Sequence, residues 1–111
     1  PIYDVTEHDF AAKVLEASAH TPVLVDFWAD WCGPCRVLTP ILEKVVQTYN
    51  GGVLLAKVEA DENMRLAGAY KLRGFPTVLL FARGVEVGRF SGARTDSQVR
   101  SFLDDHLAVG R

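Results

Sequence analysis

The run Val23-Leu24-Val25-Asp26-Phe27-Trp28-Ala29 constrains the fold most. Six of its seven residues are apolar, and four are β-branched or aromatic. Such a run suits a central strand covered on both faces, as in sheets built from parallel strands. Its one charge, Asp26, then has to be buried. Burying a carboxylate disfavours its ionised form and raises its pKa. Asp26 is therefore a candidate proton acceptor for Cys35, reached through water, against the alternatives of a solvated strand end or a structural hydrogen bond.

Directly after this run comes Trp31-Cys32-Gly33-Pro34-Cys35, which holds both cysteines of the 111-residue chain. Two thiols at this spacing can close into a small disulfide or open into a dithiol. The segment that follows reads as helix, so Cys32 falls at a helix start. There, free backbone N–H groups and the helix dipole stabilise a thiolate. A zinc half-site and an incidental pair are the alternatives. Zinc needs four ligands, and His8, His20 and His106 show no ligand-like spacing to the pair.

The remaining elements follow from periodicity and punctuation. Thr6-Glu7-His8-Asp9 resembles a helix start, and Phe10, Ala11, Val14, Leu15 and Ser18 then keep helical spacing until Thr21-Pro22. The region from Gly33 to Asn50 reads as a long helix with Leu38, Ile41, Leu42, Val45 and Tyr49 on one face. Pro40 should kink it, and Asn50-Gly51-Gly52 should stop it. Strands are expected at Val53 to Ala60, Thr77 to Ala82 and Val85 to Ser91, with Arg83-Gly84 turning the last two into a hairpin. A short helix is expected from Asn63 to Tyr70, and Ile2-Tyr3 can add a short first strand. Thr95-Asp96-Ser97-Gln98 is a capping box for a final helix carrying Val99, Phe102, Leu103, His106 and Leu107. The three histidines read as structural residues. The expected class is α/β: a central mixed β-sheet flanked by helices on both faces.

Composition excludes several roles. The chain has the size of one domain, with 49% apolar residues and a net charge of −2. No basic patch points to nucleic acid or an anionic membrane, and no apolar run reaches the length of a bilayer span. The N-terminal Pro1-Ile2-Tyr3-Asp4 has no secretory pattern, and two cysteines make no disulfide framework. A cytoplasmic location is expected. Pro1 is not an initiator residue, so processing or excision from a longer chain is expected too. Monomer is the default expectation.

Taken together, the chain resembles the thioredoxin family over nearly its whole length. The resemblance rests on Asp26-Phe27-Trp28-Ala29, Trp31-Cys32-Gly33-Pro34-Cys35, Pro40, Lys57, Asp61, Gly74-Phe75-Pro76-Thr77, Gly84 and Gly92, in family order and spacing. It implies the thioredoxin fold and thiol–disulfide exchange with protein disulfides, with no cofactor beyond the redox-active Cys32–Cys35 pair. Cys32 would attack and the more buried Cys35 would resolve, with a thioredoxin reductase recharging the pair. Lys57 would be the partner of Asp26, against an ordinary strand-end lysine. Pro76 would be a cis proline facing the cysteines, against a trans turn proline. Trp31, Gly33, Pro34, Phe75, Pro76 and Gly92 would meet the substrate. For Trp31 plain packing is the alternative, and for Gly92 a plain turn. Phe75 replaces a usually smaller aliphatic residue, and Arg36 a commoner lysine; the first bears on substrate preference.

A second reading makes residues 1–111 a redox-active binding domain, the N-terminal part of a longer co-chaperone with its own clients. Thr21-Pro22-Val23-Leu24, Leu38-Thr39-Pro40-Ile41-Leu42-Glu43, Tyr49-Asn50-Gly51 and Leu72-Arg73 resemble the thioredoxin-like domain of bacterial chaperedoxins. Pro1 and the ending Ala108-Val109-Gly110-Arg111 would fit an excised domain.

Overall fold

Five strands form one sheet in the order β1-β3-β2-β4-β5 in a computed structural model that describes residues 1–107. They are β1 (Ile2–Asp4), β2 (Val23–Trp28), β3 (Leu54–Glu59), β4 (Thr77–Ala82) and β5 (Val85–Ser91). β2 and β1 both run parallel to β3, whereas β4 is antiparallel to β2 and β5 to β4. The helices are α1 (Gly33–Gln47), α2 (Met64–Ala69) and α3 (Asp96–Leu107). This is the mixed sheet with two helical layers expected from the sequence; Ala108 to Arg111 lie outside the described residues.

Strand parity decides which layer each side chain enters. On β2, Val23, Val25 and Phe27 join a core with Phe10, Val14 and Leu66. Leu24 points the other way, into a core with Leu38, Leu42 and Val45 of α1 and with Val99 and Leu103 of α3. Asp26 shares the parity of Leu24, so it lies on the α1 face. On β3, Leu55 belongs to that same α1-facing core and Lys57 shares its parity. The register places Asp26 opposite Lys57.

The local signals act as their chemistry requires. Thr95 accepts from the Gln98 N–H at 3.2 Å while Gln98 accepts from the Thr95 N–H at 2.9 Å, which closes the capping box. Arg83 and Gly84 both have positive φ, 55° and 80°, as the two-residue hairpin turn demands. α1 ends at Gln47, and Asn50 and Gly51 follow in the left-handed region.

The N-terminal helix differs from expectation. Residues Ala11–Glu16 form a wide π-helix and Ala17–Ala19 a 3-10 turn. Phe10, Val14 and Ser18, spaced by four, are buried, but Ala11 is exposed. Thr6 and Asp9 do form the expected start: the Thr6 N–H donates to Asp9 Oδ1 at 2.8 Å.

Candidate active site

The site gathers where β2 hands the chain to α1. Cys32 is the N-cap residue of α1, with φ −92° and ψ 103°, and Pro34 sits in the first turn, where its missing N–H costs nothing. Cys32 Sγ accepts from the Cys35 N–H at 3.2 Å, so a negative charge on this sulfur meets a backbone donor and the positive end of the helix. Cys32 and Cys35 are joined as a disulfide. The two residues are 3% and 2% exposed. Cys35 is thus scarcely deeper than Cys32, contrary to the expected difference. Place on the helix, rather than exposure, distinguishes them.

On one side of the pair lies an exposed aromatic surface. Trp31 is 67% exposed, and its Nε1–H donates to Asp61 Oδ2 at 3.0 Å. Its ring meets Phe75 edge-on, with centroids 6.0 Å apart. Phe75 packs against Ala29, Cys32 and Cys35, as does the half-buried Trp28. The Phe75–Pro76 peptide bond is cis. The Pro76 carbonyl accepts from the Gly92 N–H at 2.9 Å. Gly92 has φ +84°, so its backbone alone calls for glycine, and a Cβ built there meets nothing within 4 Å. Gly33 is exposed and equally open.

On the other side Cys35 lines an open cavity of about 370 Å³ with Trp28, Arg36, Thr39, Pro40 and Lys57. Behind it stands Asp26, with 0% exposure. Thr39 Oγ1 donates to Asp26 Oδ2 at 2.6 Å. Asp26 Oδ1 is buried and has no hydrogen-bond partner among the described residues. Burial pushes the Asp26 carboxyl up to about 6, opposed by the Thr39 hydrogen bond and the Lys57 charge and reinforced by Glu43.

Lys57 departs from expectation. It borders Asp26 in register, yet its ammonium pairs with Glu43 Oε2 at 3.0 Å. That hydrogen bond raises the Lys57 pKa. Lys57 reaches Asp26 only through its charge. Thr39 and Glu43 were not among the candidates read from the sequence. Their signal was their spacing: Cys35, Thr39 and Glu43 are four apart on α1, so they share one row facing the sheet.

Among the described residues no group of three or more His, Cys, Asp or Glu side chains is placed to hold a metal ion. No described helix is long and apolar enough to cross a membrane.

The Thioredoxin family profile matches residues 1–105. Thioredoxin 1 of Synechococcus elongatus is 43% identical over 103 residues, covering 93% of this chain and 94% of that one. The thioredoxin of Pseudomonas aeruginosa is 41% identical over 106 residues, covering 96% of each chain. A probable thioredoxin-2 of Caenorhabditis elegans is 43% identical over 109 residues, covering 97% of this chain and 74% of that one. A Cys32–Cys35 pair at a helix start, on this five-stranded sheet and with these relatives, defines the class: the chain belongs to the thioredoxin family. It is a thiol–disulfide oxidoreductase acting on protein disulfides, and Cys32–Cys35 is its redox-active pair. The similarity does not favour the co-chaperone alternative.

Proposed function

We propose that the chain is a disulfide reductase in which Cys32 attacks and Cys35 resolves. The observation that carries this reading is Cys32 Sγ at the N-cap of α1 with the Cys35 N–H directed at it. A Cys32 thiolate attacks one sulfur of a substrate disulfide, and the other substrate sulfur leaves with the electron pair and takes up a proton. In the mixed disulfide, Cys35 gives its proton through water to the Asp26 carboxylate and attacks Cys32 Sγ. The Cys32–Cys35 disulfide forms, and the second substrate sulfur departs as thiolate. The attack is intramolecular, so it proceeds at high effective concentration. With its pKa near 6, Asp26 is mostly ionised at neutral pH and yet basic enough to hold the proton briefly. Lys57, with Glu43, sets the charge around Asp26.

Trp31, Gly33, Pro34, Phe75, Pro76 and Gly92 then form the substrate-facing surface. Its exposed indole and open glycines suit an extended peptide laid beside the cysteines, pairing through the backbone of Phe75. A thioredoxin reductase, as implied by family membership, returns two electrons to the disulfide. A reducing compartment, most simply the cytoplasm, fits a chain whose two cysteines are both used in one redox pair. We take residues 1–111 as one domain acting as a monomer.

Coupled insulin reduction with NADPH and thioredoxin reductase tests the reading. Sustained NADPH oxidation that requires both cysteines is expected. No turnover above the uncatalysed rate contradicts it.

A further inference from the structure

We propose that Thr39 is a positioning residue for proton exchange at Cys35: its hydroxyl holds Oδ2 of Asp26 and leaves Oδ1 as the oxygen that takes the proton. The inference rests on the reading of Asp26 as the proton acceptor.

The geometry comes from one row of α1. Cys35, Thr39 and Glu43 follow one another at four-residue spacing, and the row faces β2 and β3. There the register sets Asp26 beside Lys57. The row divides the two: Thr39 takes Asp26 at 2.6 Å and Glu43 takes Lys57 at 3.0 Å. Thr39 also lines the cavity that Cys35 borders, so the residue that holds the carboxylate and the resolving thiol face the same space.

The Thr39 bond is selective. A threonine inside a helix has a local acceptor, the carbonyl four residues back, which here is that of Cys35. Its hydroxyl instead donates to Asp26. In a helix threonine χ1 is restricted to two rotamers, and the one adopted here sends the donor to Asp26 rather than back to its own helix. A carboxyl group turns about a soft, two-fold torsion, and in isolation either oxygen can accept. Fixing Oδ2 removes that freedom. Oδ1, buried and without a partner among the described residues, is then the acceptor.

The step balances within these groups. Cys35 loses a proton through water to Oδ1, its sulfur bonds to Cys32 Sγ, and the bond from Cys32 to the substrate sulfur breaks with its electron pair on the substrate. The charges and dipoles facing Asp26 are Thr39 and Glu43 from α1 and Lys57 from β3. β4 contributes the apolar Val78 opposite it.

The test uses the full chain with Thr39→Val, Thr39→Ala, Thr39→Ser and Asp26→Asn. Reduced protein is mixed with dithiobis(nitrobenzoate) in a stopped-flow instrument. The first thionitrobenzoate released reports attack by Cys32, and the second reports resolution by Cys35. Carbon NMR follows the Asp26 carboxyl directly. Thr39→Val and Thr39→Ala are expected to move both the Asp26 titration and the midpoint of the second phase up by about one pH unit, because a donor to the charged form is gone. The first phase keeps its rate, and Thr39→Ser keeps the wild-type midpoint. Asp26→Asn removes from the second phase the pH step that follows the Asp26 titration, leaving only the titration of the Cys35 thiol. If Asp26→Asn does so but the Val and Ala variants keep the wild-type midpoint, the role of Thr39 is overturned. A Ser variant that shifts like Val overturns it as well. If Asp26→Asn leaves the second phase unchanged, the Asp26 reading itself fails.

Discussion

Lys57 and Glu43 form a 3.0 Å ion pair that draws the lysine ammonium along α1, although Asp26 is the register neighbour of Lys57 on β2. The buried acid is left with a neutral donor, Thr39, and two opposed charges at longer range. Proton affinity at Asp26 is therefore set by a balance, with burial as the largest contribution.

The two charges should move Asp26 in opposite directions. Lys57→Met removes the favourable charge and raises the carboxyl pKa, whereas Glu43→Gln removes the unfavourable charge and lowers it. Shifts of about half a pH unit each are expected, since both side chains are part-exposed and screened. Carbon NMR of the Asp26 carboxyl checks this. Shifts of the same sign contradict it.

Asp26 should cost the fold stability at neutral pH. Its folded pKa, about 6, lies above the unfolded value near 4, so the folded state binds its proton more tightly. The penalty appears as pH rises from about 4, is complete above about 6, and is absent in acid. Two pKa units set an upper bound of about 3 kcal/mol. Asp26→Asn, which keeps an acceptor for Thr39, is expected to gain about 1–2 kcal/mol at pH near 7.5 and nothing at pH near 3.5. Urea unfolding at both pH values measures this, and equal stabilities at the higher pH contradict the burial penalty.

Trp31 should matter to substrate more than to folding. It is 67% exposed and held by Asp61 and Phe75. Trp31→Ala is expected to change stability by no more than about 0.5–1 kcal/mol. Its kcat/KM for a protein disulfide should drop about tenfold, equivalent to about 1.4 kcal/mol, mainly through KM. An unchanged KM argues against the substrate surface.

Local sequence signals carried most of the legibility. The apolar run of β2, the Arg83-Gly84 turn and the Thr95–Gln98 box each act within a few residues, so local chemistry suffices to read them. The cysteine pair was legible for the same reason: cap position follows from the strand–helix junction. The partners of Asp26 and Lys57 were not. They depend on how α1 is rotated over the sheet, which brings Thr39 and Glu43, 13 and 14 residues away in sequence from the groups they hold, into contact. Ala11 shows the same limit on a smaller scale. Periodicity gave it to the core, but the wide N-terminal helix turns it outward.

Trapping the intermediate tests the central claim most directly. Reduced Cys35→Ser and Cys32→Ser proteins are each mixed with a disulfide-bonded protein such as insulin, and the adducts are mapped by mass spectrometry. Cys35→Ser is expected to accumulate a stable mixed disulfide through Cys32, while Cys32→Ser forms little. Equal or greater adduct through Cys35 in the Cys32→Ser protein would contradict Cys32 as the attacking thiol.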